Sequence, residues 1–141
     1  MNSAAHPQVT ATTYDRASCA VGVVHLGFGA FHRSHQAVYL DDYMDASGDL
    51  RWGIAAVNLR GSEAAHFQTA ADDVASHDGY FLKSYSAEGQ VALRRVRSHV
   101  QFADWSTDRT STEALLSQPS VHLVTITVTE SGYYTDPNGN L

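Results

Sequence analysis

A single cysteine, Cys19, stands among 141 residues. That excludes an internal disulfide framework and a thiolate zinc cage, and it fits a reducing compartment. Lysine is equally scarce, with Lys83 alone. Nine basic residues face fifteen acidic ones, a net charge of −6. Nucleic acids and anionic membranes call for a basic patch, so neither is an expected partner. The longest apolar stretch, residues 121–128, is short and interrupted by threonines, too little to cross a bilayer. No basic segment followed by an apolar one opens the chain, so a secretory signal is not expected and the reading is a cytoplasmic protein.

What is present is ordinary globular chemistry, 43% hydrophobic, at a length that suits one domain. Residues 1–20 are polar, alanine-rich and aperiodic, and are expected to be an N-terminal lead-in. Residues 21–26 are β-branched and apolar on both faces, the pattern of a buried parallel strand. Gly27-Phe28-Gly29 ends that run, and residues 31–46 take a helical period with Phe31, His35, Tyr39 and Tyr43 on one face. A second strand is expected over 52–59, and a helix from an N-capping Ser62 through Val74. Residues 80–85 and 91–100 read as an inserted hairpin around Glu88-Gly89, with Arg94, Arg95 and Arg97 on a solvated face. A short helix at 112–117 and a last strand at 121–128 follow. This order predicts an α/β fold with a mainly parallel sheet, half of a doubly wound arrangement, carrying an inserted β-hairpin.

The glycine turn carries the chemistry. Gly27 and Gly29 follow a buried strand and open a helix, the setting in which backbone amides and the helix dipole receive a pyrophosphate. The third glycine of that fingerprint is replaced by His32. His32 and Arg33 place cationic side chains in the first helical turn against the dipole, which points to an anionic ligand; the other reading of Arg33 is an ion pair to Asp41 or Asp42. His25, His32 and His35 lack a carboxylate or thiolate to complete a metal set, so no metal is expected. At the end of the second strand no acid stands to hold an adenosine ribose; Asn58 is a candidate there, Arg60 would tolerate a 2′-phosphate, and NAD and NADP both stay open.

The stretch Val24-His25-Leu26-Gly27-Phe28-Gly29-Ala30-Phe31-His32-Arg33-Ser34-His35-Gln36-Ala37 resembles the polyol-specific long-chain dehydrogenases, the mannitol dehydrogenase family. Tyr14-Asp15-Arg16, Trp52-Gly53-Ile54 and the segment Thr125-Ile126-Thr127-Val128-Thr129-Glu130-Ser131-Gly132-Tyr133 extend the resemblance over residues 14–141. The Leu-Gly-Phe-Gly-Ala-Phe-His-Arg wording and the Asp136-Pro137 tail look most like the fructuronate reductase (mannonate oxidoreductase) branch.

The resemblance implies an NAD(H)-dependent, metal-free oxidoreductase that moves hydride between nicotinamide and the carbinol carbon of a sugar alcohol or sugar acid. Residues 21–141 would be part of its Rossmann-like cofactor domain. Gly27, Phe28, Gly29, Ala30, Phe31, His32 and Arg33 would form the pyrophosphate turn, with Asn58 at the ribose. Thr129 and Glu130 would stand at a strand's carboxyl end beside cofactor and substrate. The family's general-base lysine lies on a helix of a second, helical domain that is absent from these 141 residues, so catalysis by this chain alone is not expected. The alternatives are a dinucleotide-binding module without chemistry and an inactive remnant.

Overall fold

The first strand, β1 (Val9–Ala11), lies within the stretch expected to be an irregular lead-in. The computed structural model describes residues 8–128 and 138. Strand β2 (Val21–Leu26) is followed by two helices, α1 (Ala30–Ser34) and α2 (Gln36–Ser47), where one was expected. His35 breaks them apart, with φ −125° and ψ −86° outside the helical region. The buried face also differs from expectation. Ala37, Asp41 and Met44 face inward, while Phe31, Tyr39 and Tyr43 are exposed. The aromatic stripe has helical spacing, but the inward face is set by a buried carboxylate that reads as polar in sequence.

Strand β3 (Gly53–Asn58) matches expectation to within a residue at each end. A 3-10 turn at Gly61–Glu63 leads into helix α3 (Ala64–Ser76), so Ser62 is inside that turn and is not the cap. Strands β4 (Tyr80–Tyr85) and β5 (Val91–Val96) form the antiparallel hairpin. The expected long second arm is in fact two strands. After β5 the chain bends at Arg97-Ser98, and β6 (His99–Asp104) joins the main sheet beside β3. Helix α4 (Arg109–Leu116), capped by Asp108 on the Ser111 N–H, and strand β7 (Leu123–Ile126) complete the described elements.

The main sheet is parallel throughout, in the order β6-β3-β2-β7. Val23 and Ile54 pack on one face with Ala37 of α2, Val74 of α3 and the hairpin residues Tyr80 and Val96. Val24, Ala55 and Val57 pack on the other with Leu115 of α4. β2 and β3 are therefore buried on both faces, which explains their unbroken apolar sequence. Each fully buried aliphatic side chain here contributes about 1.5–3 kcal/mol. A second sheet, β1-β5-β4, pairs the N-terminal strand in parallel with the hairpin. Among the described residues, no helix is long and apolar enough to cross a membrane.

The hairpin arginines are not a solvated face. Arg94 donates to Asp41 Oδ2 at 2.9 Å and to both oxygens of Asp42. Arg97 is buried, bonded to Asp78 Oδ2 and to the carbonyls of Thr12 and Tyr14. Asp41, fully buried, also accepts from Tyr14 Oη at 2.6 Å, Thr12 Oγ1 and the Arg97 N–H. These bonds fasten the N-terminal segment and the hairpin to α2. A buried carboxylate is tolerable when each oxygen is met by donors and a cation, as here.

Candidate functional site

A parallel sheet points its strands' carboxyl ends the same way, and the crevice outside those ends is where ligands bind in such folds. Here that edge is formed by the ends of β2, β3 and β7. Leaving β2, Gly27 takes φ 117°, a conformation side-chain-bearing residues avoid, and donates its N–H to Val57 O on β3 at 2.8 Å. Gly29 caps α1 in extended backbone, and a Cβ built there meets nothing within 4 Å. The Arg33 N–H closes the first helical turn on Gly29 O at 3.1 Å. The amides at the start of α1 are left without intrahelical acceptors, as at any helix start. The space in front of Gly29 is open, and these donors face it.

A cleft of about 400 Å³ runs along this edge, from His25 and the turn residues to Asn58–Arg60 on one side and Ile126 and Thr127 on the other. A recess of about 300 Å³ continues it between the turn and α3, lined by Phe28, Arg33, Glu63, His66 and Phe67. Arg33 holds its guanidinium 5.1 Å from the Phe28 ring centre and 5.9 Å from that of Tyr80. It has no hydrogen bond or ion pair among the described residues, and its Nε is buried without a partner. The ion pair to Asp41 or Asp42 weighed from sequence is not formed, because Arg94 occupies both acids.

His32 is inside the protein, at 2% exposure. Its ring stacks on His25 with centroids 3.5 Å apart and planes 4° from parallel, and its Nε2 lies 2.9 Å from His99 Nε2. This flat stack fills the close strand–helix approach that a third glycine would otherwise provide. Burial, then the His25 charge, pushes His32 down to about 3; burial alone pushes His25 down to about 4. His99 is driven well below the ordinary value, also chiefly by burial. These imidazoles are neutral near pH 7. The expected cation at position 32 is therefore corrected: only Arg33 supplies positive charge at the turn.

Phe31 is exposed and stacks on His35, and Ala30 opens α1 at the cleft wall. Asn58 reaches the cleft, but its amide donates to Arg60 O at 2.9 Å and Asp104 Oδ2 at 3.0 Å, and its Oδ1 accepts the Arg60 N–H. Both amide hydrogens brace the turn after β3, beside the cleft that Asn58 lines. Arg60 pairs with Glu63 at 3.4 Å on the surface. Glu63, the nearest acid and one expected to lie already in the helix, stands in the 3-10 turn before it. It lies five positions past β3, and the 3-10 turn brings it back to line both parts of the cleft. Thr129 and Glu130 lie outside the described residues. Lys83 is exposed on β4, 5.0 Å from the Tyr85 ring centre. Among the described residues, no group of three or more His, Cys, Asp or Glu could hold a metal ion.

Residues 21–139 match the family model described as the mannitol dehydrogenase Rossmann domain. The mannitol 2-dehydrogenase of Cereibacter sphaeroides is 34% identical over 131 residues, covering 93% of this chain and 27% of that protein. That of Pyricularia oryzae is 38% identical over 129 residues, covering 89% of this chain and 24% of that protein. The solved ternary complex of Pseudomonas fluorescens mannitol 2-dehydrogenase with NAD and D-mannitol superposes with a TM-score of 0.80 at 31% identity, over 96% of this chain and 27% of that one. A substrate-free D-sorbitol dehydrogenase gives 0.79 at 27% identity, over 93% of this chain and 27% of that one. The chain thus spans about a quarter of the length of the relatives it matches. On these grounds it belongs to the mannitol dehydrogenase family, and the part of that family it represents is the Rossmann dinucleotide-binding domain.

Proposed function

We propose that this chain is the cofactor-binding portion of an NAD(H)-dependent oxidoreductase that interconverts a sugar alcohol with its keto form. The observation that carries the reading is the turn itself: open space before Gly29, unbonded amides at the start of α1, and the unpaired Arg33 guanidinium beside them. A diphosphate satisfies all of these at once, since it brings acceptors to amides and negative charge to a half-buried cation. The turn from Gly27 to Ala30 holds the diphosphate, Phe31 flanks it, and His32 supports the turn from beneath. Glu63 accepts the hydroxyls of the adenosine ribose in the recess, which favours NAD over NADP. Bound nicotinamide supplies the hydride donor or acceptor.

The relatives compared are mannitol and sorbitol dehydrogenases, which supports a polyol substrate ahead of the mannonate or fructuronate type. By the family resemblance, Thr129 is assigned to the cofactor and Glu130 to orienting a substrate hydroxyl or a catalytic group. Alcohol oxidation needs a proton acceptor. Lys83, exposed on the hairpin, has no desolvated setting for that work, so the base is assigned to the larger remainder that the relatives possess. The lone cysteine goes with a cytoplasmic location.

Titration of NADH into the purified chain, read by nicotinamide fluorescence, tests the reading. Saturable binding below millimolar concentration is expected, with no oxidation of D-mannitol by these 141 residues alone. A flat titration at millimolar NADH overturns it.

A further inference from the structure

The buried imidazoles beneath the cleft are wired in one sense. Thr125 Oγ1 donates to Gln36 Oε1 at 3.0 Å, and the same oxygen lies 3.0 Å from His32 Nδ1. A carbonyl oxygen only accepts, so His32 carries its proton on Nδ1. Its Nε2 is then a lone pair, and His99 Nε2, 2.9 Å away, is the donor. Thr125 has spent its only hydroxyl hydrogen on Gln36. His25 Nδ1, at 2.8 Å, must therefore donate to Thr125 Oγ1. By elimination, His25 Nε2 is a bare lone pair.

That lone pair has no hydrogen-bond partner among the described residues. It lies beside the glycine turn, 3.9 Å from where a Cβ on Gly27 would stand. His25 is only 2% exposed and lines the cleft, near Ile126 and Thr127. The lone pair stands at the wall of the open cleft, and burial of the rest of the ring opposes its protonation. Water meets it in the free protein, and a bound ligand that displaces this water has to bring a matching donor. Phosphate oxygens only accept, so the diphosphate is not that donor. Hydroxyl groups are, and with the adenosine ribose assigned to Glu63 the nicotinamide-side ribose and a sugar alcohol are the groups that carry them.

We propose that His25 is a further binding residue of the cleft, whose Nε2 accepts a hydrogen bond from a hydroxyl of the bound ligand. The inference rests on the cofactor reading above and adds to it a contact that selects for ligands carrying a nicotinamide-side ribose or a polyol over ADP. Gln36, His32, His99 and Thr125 act as positioning residues that hold His25 in the Nδ1–H tautomer.

The test is a long-range proton–nitrogen NMR spectrum of the chain labelled at histidine nitrogen, with NADH binding followed in parallel by fluorescence. Free His25 is expected as the Nδ1–H tautomer, its Nε2 resonance at the unprotonated position. Added NADH should move that resonance in the direction of an accepted hydrogen bond, whereas ADP, which lacks the nicotinamide-side ribose, should leave it in place. A shift with NADH assigns the ribose as donor; a shift only when D-mannitol is added assigns the polyol, and either supports the contact. His25→Phe, which keeps a ring on His32, should weaken NADH about fivefold and leave ADP affinity unchanged. NADH binding without any Nε2 shift, or an equal shift with ADP, overturns the inference while leaving the cofactor reading intact. No NADH binding at all removes both.

Discussion

The imidazoles of His25 and His32 lie 3.5 Å apart and nearly parallel, joining the strand before the glycine turn to the helix after it. Two protonated rings at that separation would repel strongly in a site shielded from water. The stack therefore exists only while both are neutral, and the turn it supports is tied to pH.

Stability should accordingly be complete above the ordinary histidine value of about 6.5 and fall as the pH drops toward 4. The sign follows from proton counts: the unfolded chain takes up protons in that window while the folded His25, at about 4, and His32, at about 3, do not. Each such histidine removes about 1.4 kcal/mol per pH unit across the window. Melting temperatures from pH 7.5 to 4.5 check this; a flat profile would mean that the rings are charged or exposed.

Gly29→Val separates folding from binding. The backbone there, φ −75° and ψ 163°, accepts a β-branched residue, and a Cβ meets no neighbour within 4 Å. Thermal stability should be unchanged while NADH affinity falls at least about tenfold, because the side chain occupies the diphosphate's space. Gly27→Ala, at φ 117°, should instead destabilise the fold by about 1–2 kcal/mol.

Arg33→Gln should weaken NADH and ADP by the same factor, about tenfold, with a reduced dependence on ionic strength. An effect confined to NADH would move Arg33 away from the diphosphate. Titrations of both ligands at low and high salt decide the point.

Glu63→Ala should raise the affinity for NADPH relative to NADH by about tenfold or more, since it removes the acid nearest the adenosine 2′ position and frees Arg60 from its pair. An unchanged ratio would place the ribose elsewhere in the cleft.

Much of this was readable beforehand. The strand 21–26, the turn after it, the hairpin and the parallel sheet all follow from local chemistry: β-branched runs, glycines and period changes. The family wording sits on those same residues. What escaped was decided by distant partners. Helix α2 was assigned its aromatic face because nothing local shows that Asp41 is saturated by Tyr14, Thr12, Arg94 and Arg97, residues 27 to 56 positions away. His32 passed for a surface cation because its partners, His25 and His99, arrive from two strands. Strand β6 was merged with the hairpin because Arg97 and Ser98 look like more of the same exposed arm, yet both are buried at the bend. Glu63 was set aside as part of the following helix, whereas it ends a 3-10 turn that brings it to the cleft.

Asp41 has a bearing on motion as well as on stability. Asp41→Ala should cost about 3–5 kcal/mol in urea denaturation, leaving Tyr14 Oη and the Arg97 amide without their acceptor and Arg94 with Asp42 alone. While the acid is in place, its bonds tie the root of the hairpin to α2, so a swing of the hairpin over the crevice would have to break them.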